Sequence, residues 1–96
     1  MYPFKQLEKI TKGTIIQPND HSFSILSIDS RNYSSPASTL FFAIKGDRNN
    51  GHNHISDLYD RGVRQFIVEQ PIEYKLYPEA SFFLCHNSVV ALQHLA

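Results

Sequence analysis

Leu40-Phe41-Phe42-Ala43-Ile44 runs directly into Lys45-Gly46-Asp47-Arg48-Asn49-Asn50-Gly51. The first stretch is continuously apolar, as expected for a strand covered on both faces of a sheet. The second is polar, basic and bounded by glycines, as expected for a loop leaving that strand. Upstream, Phe23, Ile25 and Ile28 interleave with Ser24 and Ser27 and predict a further strand, although Leu26 breaks the alternation. It is followed by the polar turn Asp29-Ser30-Arg31. Two such loops at neighbouring strand ends make a place to hold a polar, anionic ligand. The same residue types are also ordinary turn formers.

Downstream the pattern alternates between helix and strand. Asn53 is placed to cap a helix with Ile55, Leu58 and Tyr59 on one face, and Gly62 to end it in the left-handed conformation. Phe66–Val68 reads as another apolar strand, Pro71–Glu79 as a connection and Ser81–Cys85 as a further strand. Asn87 is placed to cap a last helix carrying Val89, Leu92 and Leu95. At the other end, Phe4, Leu7 and Ile10 predict a helix over Pro3–Thr11, with Gly13 where it would stop. Together these elements predict an α/β fold, a small sheet, largely parallel or mixed, flanked by helices.

The chain has 96 residues, enough for one small core. Its formal charge is zero, which argues against a general nucleic-acid surface, so an anion must be met locally by Arg31, Lys45 and Arg48. No apolar run approaches the roughly 18 residues of a membrane span, and the N-terminus lacks the apolar stretch of a secretory signal. A single cysteine, Cys85, excludes an internal disulfide and fits a reducing, cytoplasmic setting. It stands in an apolar strand and reads as a core residue rather than a nucleophile. His52, His54 and Asp57 lie close in sequence, but a zinc site needs about four ligands and no further pair completes it. His52 reads instead as shaping the loop. No catalytic pair and no metal site emerge, and G-x-x-x-x-G-K-[ST] is absent, so ATP has no phosphate loop to meet.

The Ser30 hydroxyl can donate to and accept from a uracil edge or a phosphate oxygen. Glycines at 46 and 51 allow close approach of the backbone, and Lys45 and Arg48 can meet phosphate oxygens, Arg48 bidentately. Asp29 reads as a turn former and as a partner for Arg31.

The ordered set Asp29-Ser30-Arg31, a spacer with Pro36, the run Leu40–Gly46 continuing through Arg48, Asn50, Gly51 and His52, a helix ending Arg61-Gly62-Val63 and a strand ending Val68-Glu69 resembles the N-terminal domain of the Mur ligases. These cytoplasmic enzymes add amino acids to the UDP-N-acetylmuramoyl peptide during peptidoglycan synthesis. The resemblance runs from about Ile25 to the C-terminal helix. It is strongest to the MurF branch, which joins D-alanyl-D-alanine to the muramoyl tripeptide. The run Asp57–Glu69 also resembles a subgroup in which that ligase is fused to alanine racemase. The resemblance implies that Ser30 contacts the UDP moiety, and that Asp47, Arg48 and Asn49, just after Gly46, line the uridine and diphosphate pocket. With Arg31, Lys45 and Gly46 these form the expected substrate-binding set. The family often has Asp where this chain has Asn50.

The resemblance further implies that ATP and magnesium belong to a central domain and the incoming dipeptide to a C-terminal one, the reaction passing through an acyl phosphate. Residues 1–96 are then a single substrate-binding domain, the N-terminal fragment of a longer ATP-dependent amide-forming ligase and inactive alone. The ending inside the last predicted helix, at Leu95-Ala96, fits such a leading domain. A MurE-like parent, adding the third residue, is the alternative within the family. A free-standing nucleotide-binding or protein-interaction module is the alternative outside it.

Overall fold

The computed structural model describes residues 2–17, 19–28, 35–45 and 50–95. A five-stranded sheet, in the order β2-β7-β6-β5-β4, forms the middle layer. It comprises β2 (Thr14–Ile16), β4 (Ile25–Ser27), β5 (Thr39–Phe42), β6 (Gln65–Val68) and β7 (Ser81–Leu84). From β4 to β7 all neighbours are parallel, and only β2 joins β7 antiparallel. A separate two-stranded ribbon pairs β1 (Tyr2–Pro3) with β3 (Ser22–Phe23). The helices are α1 (Leu7–Ile10), α2 (Ile55–Asp60) and α3 (Ser88–Leu95). The expected α/β sandwich is therefore present, with a mixed, mostly parallel sheet.

The central strands explain why the sequence folds this way. Every residue of β5 and β6 is buried. Successive side chains of a strand point to opposite faces, so a strand covered on both sides must be apolar throughout. On one face Leu40, Phe42, Ile67 and Phe83 join Phe4, Leu7 and Phe23, with Ala91, Leu92 and Leu95 of α3. On the other, Phe41, Phe66, Val68 and Phe82 meet Ile55 and Leu58 of α2 and Val63. Phe66 stacks on Phe82 with ring centroids 5.3 Å apart. Each fully buried phenylalanine contributes roughly 1.5–3 kcal/mol of transfer free energy.

The boundaries show where local signals held. Gly62 follows α2 at φ +108°, the region glycine enters without a Cβ penalty. Its N–H donates to the Tyr59 carbonyl and the Val63 N–H to that of Leu58, at 3.0 Å each. That pair of bonds is a Schellman motif. Asn87 Oδ1 caps α3, accepting from Val89 N (2.9 Å) and Val90 N (3.2 Å).

Elsewhere tertiary pairing overrode the local reading. The helix expected over Pro3–Thr11 is shorter, because Tyr2 and Pro3 pair with β3 and a 3-10 turn at Phe4–Gln6 precedes α1. The single strand expected around Phe23–Ile28 is split between the ribbon and the main sheet. At the break, Ser24 N donates to the Ser38 carbonyl at 3.0 Å. Asn53 is not a cap. The chain first makes a 3-10 turn at Gly51–His54, capped by Asn50, and α2 then starts from His54 without a side-chain cap.

Candidate functional site

β4, β5, β6 and β7 run in the same direction, so their carboxyl ends lie along one edge of the sheet. Ser27 aligns with Phe41 across the β4–β5 pair, so the chain leaves both strands side by side. Open α/β sheets bind ligands at this edge. The two segments predicted from sequence to hold the ligand follow these ends. Of the expected set, Ser30, Arg31, Gly46, Asp47, Arg48 and Asn49 lie outside the described residues. Lys45 is described: it is exposed just beyond β5 and forms an antiparallel bridge with Asn50. That bridge joins the flanks of residues 46–49.

Gly51 follows the bridge, its N–H donating to the Ile44 carbonyl at 2.9 Å. A Cβ here would lie 2.8 Å from Ile44 N and 2.9 Å from Ala43 Cα. Glycine is thus required because the loop's return lies against the end of β5. Its close approach is to the strand, where the sequence pattern had allowed for approach to a ligand.

His52 is buried at 8% exposure and both ring nitrogens are engaged. The Glu69 backbone N–H donates to Nε2 at 2.9 Å, which leaves Nδ1 to carry the ring proton. Nδ1 donates to Asn50 Oδ1 at 2.5 Å, and that oxygen also accepts from the His52 N–H at 3.0 Å. His52 therefore shapes the loop, as its position in the sequence implied, and neither nitrogen is left for a metal. Asn50 fits this arrangement because its amide oxygen accepts both protons.

Glu69, just past β6, completes the arrangement. Its Oε2 accepts from Ser88 N at 2.6 Å and Ser88 Oγ at 2.8 Å. Its Oε1 accepts from Lys45 N at 3.4 Å. Burial alone would raise the Glu69 carboxyl, but the Ser88 N–H and hydroxyl, the Lys45 N–H and, whenever its ring is protonated, His52 hold it below its ordinary range. For His52, burial lowers the pKa, the Glu69 carboxylate opposes and the Lys45 charge adds to the lowering, so the ring is held neutral. The start of α3 is meanwhile filled by the chain's own acceptors, Glu69 on Ser88 and Asn87 on Val89 and Val90. An incoming phosphate would find those amides already bonded. Cys85 is buried in the core, and burial followed by the Glu69 charge pushes its thiol up, away from nucleophilic use.

The sequence reading did not reach Glu69 and Ser88 as partners. Glu69 stood out as the polar end of an apolar strand and as part of the pattern behind the resemblance, but nothing local ties it to residue 88.

A family model described as "Mur ligase family, catalytic domain" matches residues 22–94. The chain belongs to the Mur ligase family. Its fold is shared by solved structures of MurF from Acinetobacter baumannii. Two of these superpose with TM-scores of 0.78 and 0.81, each at 26% identity over 98% of this chain. The chain spans 20% of the length of those structures. A curated relative, the UDP-N-acetylmuramoyl-L-alanyl-D-glutamate--2,6-diaminopimelate ligase of Aquifex aeolicus, is 49% identical over 37 residues, which is 38% of this chain and 8% of that protein. The five-stranded mixed sheet of this Mur ligase domain matches the N-terminal domain fold of the family.

Proposed function

We propose that this domain anchors the UDP end of the UDP-N-acetylmuramoyl peptide for an ATP-dependent, cytoplasmic Mur ligase of the MurF type, which adds D-alanyl-D-alanine. The observation that supports this reading is the parallel alignment of Ser27 with Phe41, so that the chain leaves β4 and β5 side by side at one edge of the sheet, in a member of this family. In this reading Arg31, Lys45 and Arg48 meet the diphosphate, and Ser30, Gly46, Asp47 and Asn49 bind the uridine side. Holding the nucleotide end lets binding energy far from the reacting carboxylate position it for phosphorylation.

ATP and magnesium belong, in this reading, to a central domain and the dipeptide to a C-terminal one, with residues 1–96 the leading domain of the parent. Although the matching family model is described as catalytic, the two glycines at 46 and 51 are followed by His52-Asn53 rather than Lys-Ser or Lys-Thr. The chain alone is therefore expected to turn over no ATP.

Calorimetric titration with UDP-N-acetylmuramic acid tests the reading, with saturable binding expected, competed by UDP but not by ATP. Arg48→Ala should weaken that binding about ten- to hundredfold, roughly the 1.5–3 kcal/mol of one charge-assisted hydrogen bond. Absence of binding at millimolar ligand, or an Arg48→Ala chain that binds like the parent, overturns it.

The Aquifex relative favours a second reading, a parent that adds diaminopimelate. Supplying the complete protein and ATP with either muramoyl dipeptide and diaminopimelate or muramoyl tripeptide and D-alanyl-D-alanine separates the two by product.

A further inference from the structure

Residues 46–49 are flanked by Lys45 and Asn50, and both flanks converge on one residue. The Lys45 N–H reaches Glu69 Oε1 directly. Asn50 reaches the Glu69 main chain through the His52 ring. Glu69 is in turn fixed by two donors from Ser88, and the Ser88 hydroxyl also lies 3.4 Å from the Ala43 carbonyl. The connected groups thus come from the ends of β5 and β6, the turn before α2 and the start of α3. Much of a loop's contribution to affinity is lost to the cost of ordering it on binding, so flanks fixed in advance favour the ligand.

We propose that His52 and Glu69 are positioning residues of the nucleotide site, and that ligand affinity depends on His52 being neutral. The proposal rests on the reading of this edge as the UDP site. Neither residue is required to touch the ligand. Nε2 must accept from the Glu69 N–H, and a proton placed there would set two donors against each other. The Asn50 flank would then lose its tie to β6 while the Lys45 flank kept its own. Among the described residues, the charged groups around the ring are Glu69 from β6 and Lys45 from just beyond β5, with Cys85 beyond β7 close enough to feel Glu69. Their balance, with burial, keeps the ring's pKa below its ordinary 6.5.

The test is titration of the 96-residue chain with UDP-N-acetylmuramic acid from pH 8 to pH 5, with melting curves to establish folding at each pH. The doubly esterified diphosphate of this probe keeps its charge over that range. The parent should bind progressively more weakly as pH falls through the pKa of the folded ring, which lies below 6.5. His52→Gln supplies a non-titrating amide oxygen for the Glu69 N–H, so it should bind within about threefold of the parent at pH 8 and show a flat profile. His52→Ala should bind about tenfold more weakly at pH 8, the worth of one lost hydrogen bond in the positioning chain. Glu69→Gln, a fold-sparing second probe, should also weaken binding, since its neutral amide holds Ser88 and Lys45 less firmly.

A flat profile in the parent, or a His52→Gln profile that falls with pH like the parent's, overturns the proposal. So does parental affinity in both His52→Ala and Glu69→Gln. If His52→Ala does not fold, the pH profiles and Glu69→Gln decide the matter. A parent that does not bind the probe at all overturns the site reading and this role with it, whereas a parent that binds beside unaffected variants overturns the role alone.

Discussion

The two edges of the sheet are closed in different ways. At the amino ends of the parallel strands, side-chain amides bond main-chain carbonyls. Gln65 Nε2 donates to the Ser22 and Ala37 carbonyls at 2.8 and 3.2 Å. Gln17 Nε2 donates to those of Tyr77 and Ala80, and Asn19 Nδ2 donates to Ala80 as well. Arg64 lies over the Tyr59 ring at 4.1 Å and donates to the Tyr59 and Val63 carbonyls. At the carboxyl ends, by contrast, a buried histidine and a carboxylate link strand, loop and helix. These amide-to-carbonyl bonds do not respond to pH, although the same edge also holds the exposed contact of His21 Nε2 with the Glu79 carbonyl (2.7 Å) and the Arg64–Glu79 ion pair (3.7 Å). The opposite edge uses groups whose bonds depend on their protonation state, as expected where a ligand site is held ready rather than simply closed.

The largest expected effect bears on both edges at once. Phe42→Ala should cost roughly 3–5 kcal/mol of stability by opening a cavity between β5 and the helix layer. Chemical denaturation measures it, and a loss under about 1 kcal/mol would mean that the central strand does not support the two edges in common.

Gln65→Ala comes next. It removes two hydrogen bonds to carbonyls at a fully buried position, a loss of about 1–3 kcal/mol for the pair. Nucleotide affinity of the folded protein should not change, because the amino edge only closes the fold. A variant that keeps its stability but loses affinity would reverse the roles assigned to the two edges.

The smallest effect is the pH dependence of stability. His52 has a lowered pKa in the folded chain, so its contribution is present above 6.5 and is lost as pH falls from there toward the folded value. Glu69 is also lowered, so its contribution is present above its ordinary 4.5 and disappears only in more acid solution. Denaturation curves at several pH values should show a stability loss below 6.5 in the parent that is smaller in His52→Gln. The amides of Gln17, Asn19 and Gln65 gain no proton in this range, so Gln65→Ala should shift the parental curve down without changing its shape.

How much of this was legible in the sequence follows from the range of the interactions. Leu40–Ile44 announced a strand covered on both faces because burial there is written in consecutive residues. The Gly62 terminus and the Asn87 cap were readable because each is satisfied within a few residues. β2 was not legible: Thr14–Ile16 is too short to show alternation, and its partner β7 lies near the other end of the chain. Ile15 and Ile16 divide between the two cores, which a local period cannot reveal. Gln17 was equally hidden. It takes a left-handed φ of 57° with no glycine to signal it, held there by its bonds to Tyr77 and Ala80. At the candidate site, the sequence supplied the charged and hydroxyl residues through a resemblance, and the structure supplied the Glu69–His52–Asn50 and Glu69–Ser88 links. Asn50 and His52 are near neighbours, but the bonds of Glu69 to His52 and to Ser88 span 17 and 19 positions, so only folding brings them into view.

Amide-shift mapping of the chain during titration with UDP-N-acetylmuramic acid tests the central claim most directly, because it reports both edges in one experiment. The account predicts movement at residues 29–31, at 45–52 and at Glu69, with Gln17, Asn19, Gln65 and Ser81 unmoved. Shifts concentrated at that second group, or none anywhere at millimolar ligand, would contradict the assignment of the carboxyl edge as the nucleotide site.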